Sequence, residues 1–203
     1  MAMKPAVLLA IVLIVAGAYL YLRPAKSPTF KSTDDMMVWL ANEAVDIAKR
    51  KGITLDYSEA SVENAEDALG KLHDDFIASG KNTTGQVGLG LAFGAYLGEV
   101  IKRNLKVGRW EQDDALQGKN TYPFIWPDNS HSYLSGWCHK RIIDGPEENV
   151  LNKYFVITGD ERKKLGLPPA QWPHVAHPGS EHQVVVKYSA TIKKPGTADP
   201  KAH

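Results

Sequence analysis

The spacing of apolar residues predicts two helices at the start of the main body of the chain. The first begins at Thr33, whose side chain can cap it, and ends before Gly52, which suits the position after a last helical turn. The second occupies about residues 59–78, and a short strand is predicted between them at residues 53–57. Apolar residues recur three or four positions apart, so each helix has one face to bury. These faces consist of Met37, Leu40, Ala41, Ala44 and Ala48 in the first helix, and of Val62, Ala65, Leu69, Leu72 and Phe76 in the second.

A third helix is predicted from a cap at Thr83 or Thr84 to about Leu105, and it contains glycines spaced four residues apart. Glycine costs about 1 kcal/mol relative to alanine inside a helix. Residues four apart stack on one face, so these glycines form a smooth ridge on which another backbone can lie closely. The uncharged run at 85–98 has 14 residues, which is too short to span a membrane. We therefore expect a buried central helix with a strand or helix against the ridge formed by Gly90, Gly94 and Gly98.

The second half of the chain has the composition of strands, because tryptophan, tyrosine, phenylalanine and isoleucine are concentrated there. Helices therefore precede strands, which indicates an α+β protein whose helical half packs on a small, mostly antiparallel sheet. Strands are predicted at 107–112, 121–127 and 182–192, with a turn at 127–130, a strand or short helix from Gly136, and a further helix from Pro146.

The most distinct signal is an uncharged apolar run of 17 residues at 6–22. A helix of that length extends roughly 26 Å, close to the thickness of a bilayer core. Because Lys4 precedes the run and Arg23 follows it, we expect residues 1–23 to form an N-terminal transmembrane helix. The alternative is a cleaved signal peptide, for which the small residues at 16–18 provide a cleavage site.

An uncleaved anchor implies a single-pass protein of the inner (plasma) membrane. The basic residues after the run favour a cytoplasmic domain, whereas a short N-terminal tail tends to stay inside and favours an outward one. We expect the domain on the outer, periplasmic side. The rest of the chain is predicted to be a linker at 24–32, a single α+β domain at 33–192 and a disordered tail at 193–203.

The net charge and the cysteine content exclude several kinds of partner and binding site. The formal net charge is +1 at pH 7, so we expect no nucleic-acid partner. Cys138 is the only cysteine, which excludes an internal disulfide and a multi-cysteine zinc site. A dinucleotide fingerprint and a phosphate-binding loop are absent, and no cofactor is expected. His174 and His177 are the candidate metal ligands, but they lie in a proline-rich loop without the glutamate of a zincin helix, so no metal is predicted.

Three segments together resemble a small bacterial domain family of unknown function. They are "GAYLGEVIKRNL" with "RW" after it, "YPFIWP", and "KRIIDGPEENVLNKYFVI". The family has a G-E-[VI]-x-x-R helix, a tryptophan strand and a later K-R-x-x-x-G segment, and the resemblance covers roughly residues 35–157. The family has no established reaction. Some related domains are similar to immunity or accessory proteins of bacterial toxin systems, which implies a binding role.

Candidate binding residues come from the central helix and the aromatic segments. Glu99 and Arg103 lie one helical turn apart in the orientation that favours an ion pair, and a purely structural salt bridge is the alternative. Tryptophan and arginine together are typical of binding hot spots, with core packing as the alternative for the tryptophans. No catalytic residue is assigned, since no base is identified for Cys138. The candidate set is Glu99, Arg103, Arg109, Trp110, Trp126, Trp137, Lys140 and Arg141.

These observations predict a membrane-anchored, non-enzymatic protein-interaction domain, with residues 6–22 in the membrane and a protein partner. One alternative is a toxin-immunity protein that acts near the membrane. Another is an enzyme or small-ligand binder centred on Glu99 and Arg103. A deep pocket around an exposed Glu99 would favour this last hypothesis, and a Glu99 buried against Arg103 without a cavity would count against it.

Overall fold

The computed structural model describes residues 28–170. The predicted anchor at 6–22 lies outside this range, and so do residues 171–203, with the predicted last strand, the predicted tail, His174 and His177. The described residues form an α+β fold with a small antiparallel sheet, which confirms the predicted class. In chain order the elements are α1 (Thr33–Arg50), α2 (Ser61–Ala78), α3 (Gln86–Leu105), β1 (Arg109–Trp110), β2 (Phe124–Ile125), β3 (His131–Ser132), α4 (Leu134–Ile143), a 3-10 turn (Pro146–Glu148) and α5 (Val150–Lys164).

The first two helices agree with the apolar spacing, but their ends differ from the prediction in detail. Ser32 rather than Thr33 caps α1, because the Ser32 hydroxyl accepts a hydrogen bond of 3.1 Å from the amide of Asp35. Gly52 follows α1 with a φ of +75°, as expected for the residue after a last turn. All five residues of the predicted α2 face are buried, and so are Met37, Ala41, Ala44 and Ala48 of α1.

The predicted strand at 53–57 is wrong, because these residues form a connection between two helices. The amide of Ile53 donates to the carbonyl of Ala48 at 3.0 Å. The carbonyl of Thr54 accepts from the Asn64 side chain at 2.9 Å. These backbone groups are therefore satisfied by α1 and α2, and no neighbouring strand is needed for them.

Two helix starts in the rest of the domain also differ from the prediction. The residue before α3 is Gly85, with a φ of +83°, and neither threonine of the preceding loop caps the helix. The segment predicted as a strand or short helix is the helix α4. After it, Pro146 begins a 3-10 turn, and α5 starts at Val150 because the Asn149 side chain accepts from the amide of Asn152 at 2.9 Å.

The sheet is smaller than the aromatic segments predict. Its order is β1-β2-β3, both pairings are antiparallel, and each strand has two residues. Gly108 and Tyr122 have φ values of +84° and +48° shortly before β1 and β2, and such values interrupt the extended conformation. The predicted turn at 127–130 is confirmed by the hydrogen bond from the amide of Trp126 to the carbonyl of Ser130 at 2.9 Å.

The glycine ridge of α3 packs against backbone, as predicted. A Cβ atom at Gly90 would lie 2.7 Å from the Cβ of His139, and one at Gly94 would overlap the backbone of Ser135, so α4 lies directly on the ridge. The last glycine of the ridge, Gly98, faces the indole of Trp110. The helix is thus the centre of the core, between α1 and α4. Within residues 28–170, no helix combines the length and apolar character that a membrane crossing requires.

Candidate functional site

The predicted binding residues are divided among separate places in the fold. Glu99 and Arg103 lie on α3 beside α1, and the tryptophans at 110 and 126 lie in the core around the sheet. Arg141 lies on the buried side of α4 and pairs with α2. Arg109 is on the surface, where it pairs with Glu111, while Trp137 is half-buried and Lys140 exposed on α4.

Glu99 is 5 % exposed and lies beside two cations of its own helix. The Nζ of Lys102 lies 3.4 Å from its Oε1, and the Nε of Arg103 lies 3.8 Å from its Oε2. Lys102 also donates to Asp34 of α1 at 2.5 Å, while the Arg103 guanidinium lies 3.5 Å from the ring centre of Tyr57. The two clefts described below, one beside Arg141 and one at the base of the loop between β1 and β2, are lined by other residues. This arrangement ties α3 to α1 and to the segment before α2.

The tryptophans of the sheet belong to a buried cluster of aromatic rings. The ring centres of Trp110 and Phe124 are 5.1 Å apart, and those of Phe124 and Trp126 are 5.2 Å apart, both edge to face. The indole N–H of Trp126 donates to the hydroxyl of Ser132 at 2.8 Å, which joins β2 to β3. Such edge-to-face pairs stabilise a core by more than the burial of their apolar surface alone would. These two tryptophans therefore pack the sheet against α3 and do not line a groove.

Arg141 belongs to a buried ion pair whose partner the sequence analysis missed. Its Nε donates to Oε1 of Glu66 at 2.5 Å, and the other oxygen of Glu66 accepts from the amide of Val150 at 2.8 Å. Glu66 is 8 % exposed and Arg141 is 7 % exposed. The pair joins α2 to α4 and to the start of α5. A signal was present, because Glu66 lies four residues after Val62 and three before Leu69, within the apolar face of its own helix.

A cleft of about 320 Å³ opens beside this pair. At Gly70 the position of an added Cβ is 3.1 Å from Nη2 of Arg141, and no other atom lies within 4 Å of it. Nη1 of Arg141 is enclosed and has no hydrogen-bond acceptor among the described residues. We call this the Gly70 cleft; besides Glu66 and Arg141, it is lined by Ile53, Asp67, Gly70, Lys71 and Asp74.

A second feature, unpredicted from the sequence, is the connection between β1 and β2 at residues 111–122, which we call the braced loop. The buried carboxylate of Asp114 holds it from within. Its Oδ1 accepts from the amides of Leu116 and Gln117 at 2.7 and 2.8 Å. Its Oδ2 contacts Nδ1 of His131 at 2.5 Å. These hydrogen bonds, of which that from the Gln117 amide has the largest effect, hold the pKa of Asp114 at about 2, below its ordinary 3.8.

The braced loop is closed by further hydrogen bonds at its sides. Backbone bonds join Asp114 and Gly118 in both directions, at 2.9 and 2.8 Å. The carboxylate of Asp113 accepts from the amide of Asn120 at 2.8 Å, and the side chains of Gln112 and Asn120 are also bonded at 2.8 Å. At the tip, the side chain of Leu116 is 92 % exposed. The loop therefore presents an aliphatic side chain from a backbone that is already fixed.

Cys138 and its neighbour His139 on α4 pack against other parts of the described chain. Cys138 is fully buried on α4, and this burial raises the pKa of its thiol far above the ordinary value, so the thiolate is not available at neutral pH. His139, its neighbour, packs against Gly90 of α3. Over residues 28–170, no group of three or more histidine, cysteine or acidic side chains is placed to hold a metal ion.

Comparisons with known proteins identify no relative of this chain. No protein-family model matches the chain, and searches of curated proteins and of solved structures give no significant match. The resemblance to a bacterial domain family of unknown function stays a prediction, and so does the binding role that it implies.

Proposed function

We propose that this protein is a membrane-tethered, non-enzymatic domain that binds a protein partner through the braced loop. The observation that supports this proposal is Leu116, 92 % exposed at the tip of a loop that Asp114 fixes from inside. Ordering a flexible loop on binding costs free energy, and a loop that is already fixed avoids that cost. An aliphatic anchor on a fixed loop is therefore suited to insertion into an apolar pocket of a partner.

The position of the loop relates the proposal to the predicted anchor. Gln112 and Tyr122, at the base of the loop, line a cleft of about 310 Å³ together with residues 30–33. These residues follow the apolar run at 6–22 after an interval that spans no more than roughly 25 Å when extended. With residues 6–22 in a bilayer, we expect this interval to keep the base of the loop within reach of a membrane-bound partner.

The charge of the loop favours a protein over a lipid surface as the partner. Of its charged residues, Asp114 is buried and Glu111 pairs with Arg109, which leaves Asp113 and Lys119 exposed. Anionic lipid headgroups attract clusters of basic residues, and the loop contains only one basic residue, Lys119. An apolar pocket in a protein is the surface that complements the exposed Leu116. We therefore expect the partner to present such a pocket.

Co-purification from native membranes tests this proposal with two matched variants. Leu116→Asp places a charge at the tip of the loop, and Val87→Asp makes the same change at an aliphatic residue of α3 that is 71 % exposed. Neither side chain is buried, so both variants should fold, as checked by circular dichroism and thermal unfolding. We expect one stoichiometric partner with the wild type and Val87→Asp, and a loss of about tenfold or more with Leu116→Asp.

Two results would contradict the proposal. In one, both variants retain the partner, which would remove the loop from the interface. In the other, Val87→Asp alone loses it, which would place the interface at the start of α3.

A further inference from the structure

We propose that the Gly70 cleft is a second binding site, independent of the braced loop, for a zwitterion of amino-acid size. The ligand's carboxylate contacts the guanidinium of Arg141, and its ammonium group contacts Asp67 or Asp74 on α2. These three residues line the same cleft.

The guanidinium of Arg141 supplies unused donors. Its Nε is occupied by Glu66, whereas neither terminal nitrogen has an acceptor among residues 28–170. Nη1 is enclosed, whereas Nη2 is not among the enclosed atoms and lies over Gly70 at the lining of the cleft. A guanidinium N–H forms a charge-assisted hydrogen bond with a carboxylate. A carboxylate in the cleft would therefore accept from Nη2, the terminal nitrogen that remains accessible and has no acceptor among the described residues.

Gly70 lets the guanidinium of Arg141 lie directly on α2. Outside its own helix, the only atom within 4 Å of an added Cβ at this position is Nη2 of Arg141, at 3.1 Å. Glycine lowers the stability of a helix interior, and Gly70 lies in the middle of α2, where it has no unusual φ. No backbone of another element packs on this glycine, in contrast to Gly90 and Gly94 of α3. A side chain at this position would therefore press on Nη2, which lines the cleft.

The acidic residues of the cleft favour a positive group on the ligand. Asp67 and Asp74 lie three residues before and four residues after Gly70, so both are on its face of α2. Neither carboxylate has a hydrogen-bond or ion-pair partner among the described residues. Lys71 is already engaged, since its Nζ donates to the carbonyl of Lys51 at 3.0 Å. With three acidic residues against two basic ones, the lining does not favour a simple anion such as phosphate.

The cleft has room for a ligand of amino-acid size. It opens to solvent and its volume is about 320 Å³, well above the roughly 30 Å³ that one water molecule occupies in the liquid.

Calorimetric titration of the full-length protein in detergent micelles tests this site. The probes are the L-amino acids one by one, with acetate and methylammonium as ligands that carry only one of the two charges. We expect saturable 1:1 binding of at least one amino acid with a dissociation constant of about 1 mM or below, and no saturation by either control at that concentration.

Two glycine variants make the titration specific to the cleft. Gly70→Ala adds a methyl group against Nη2 of Arg141 and should weaken binding about tenfold or more. Arg141→Lys should weaken it by a similar factor, because a charge-assisted hydrogen bond to the ligand is lost. Gly159→Ala makes the same change in the interior of α5, where nothing lies within 4 Å, and should leave binding unchanged. Leu116→Asp should also leave it unchanged, which separates this site from the braced loop.

The proposal is overturned if the folded wild type binds none of the amino acids. It is overturned equally if acetate binds as tightly as the amino acids, since the site would then be a plain anion site. Unchanged affinity in Gly70→Ala would show that binding occurs elsewhere on the chain.

Discussion

The indole of Trp110 occupies the space that a side chain at Gly98 would need, because an added Cβ would overlap its Cζ2 atom. The same helix brings Gly94 against the backbone of Ser135. The glycines of α3 therefore determine how closely both the sheet and α4 approach the central helix. Packing compensates for the low helix propensity that these glycines bring.

Gly98→Ala should destabilise the protein although alanine is the better helix former. The added methyl group displaces a buried tryptophan, and overpacking of this kind costs roughly 1–3 kcal/mol. The matched control is Gly88→Ala in the same helix, where nothing lies within 4 Å and alanine should stabilise by up to about 1 kcal/mol. Urea unfolding of both variants gives the two free energies. If both substitutions stabilise the protein, the indole of Trp110 does not lie against Gly98 in solution.

Glu66→Ala should be among the most destabilising substitutions on the surface of α2 that faces α4. It leaves Arg141 charged, buried and without its only described acceptor, and breaking a buried pair from one side costs about 3–5 kcal/mol. The adjacent variant Asp67→Ala removes an exposed carboxylate, and we expect a change within about 0.5 kcal/mol. Denaturant unfolding distinguishes the two. Equal effects would mean that the Glu66–Arg141 pair is not buried in solution.

Asp114 should make the free energy of unfolding depend on pH in the acid range. Its pKa is about 2 in the folded protein against an ordinary 3.8, so the folded state favours the ionised carboxylate. The stabilisation is therefore fully present above about pH 4 and is lost as the pH falls through about 2. Asp114→Asn should be less stable than the wild type near neutral pH and should lose less stability over that interval.

Urea unfolding at several pH values checks this prediction. Gln117→Ala is the control, because it alters an exposed side chain of the same loop and removes no titrating group. Coincident pH profiles for Asp114→Asn and the wild type would show that Asp114 does not fix the braced loop.

The helical part of the fold could be predicted because its signals are local. The apolar spacing determines which faces of α1 and α2 are buried, and the ridge on α3 indicates close packing before its neighbour is known. The identity of that neighbour is not local. The start of α4 and the indole of Trp110 reach the ridge only through the tertiary fold, which the spacing of residues does not encode.

The candidate sites could be predicted only in part, for the same reason. Arg141 stood out as a charged residue in the segment "KRIIDG", but its partner Glu66 lies 75 residues earlier on another helix. The bracing of the loop depends on Asp114 and His131, which are 17 residues apart and meet because β2 and β3 pair. The aromatic composition also predicted longer strands than the structure has. The aromatic residues near Trp110 pack edge to face in the core and do not lengthen the β-sheet.

Photocrosslinking in native membranes tests the central claim, binding through the braced loop, most directly. A photoreactive amino acid is introduced at Leu116 in one preparation and at Val87 in another, two exposed aliphatic positions on different elements. Binding through the braced loop predicts a single adduct of defined mass from position 116, competed away by unmodified protein, and none from position 87. No adduct at position 116, or the same adducts at both positions, would contradict it.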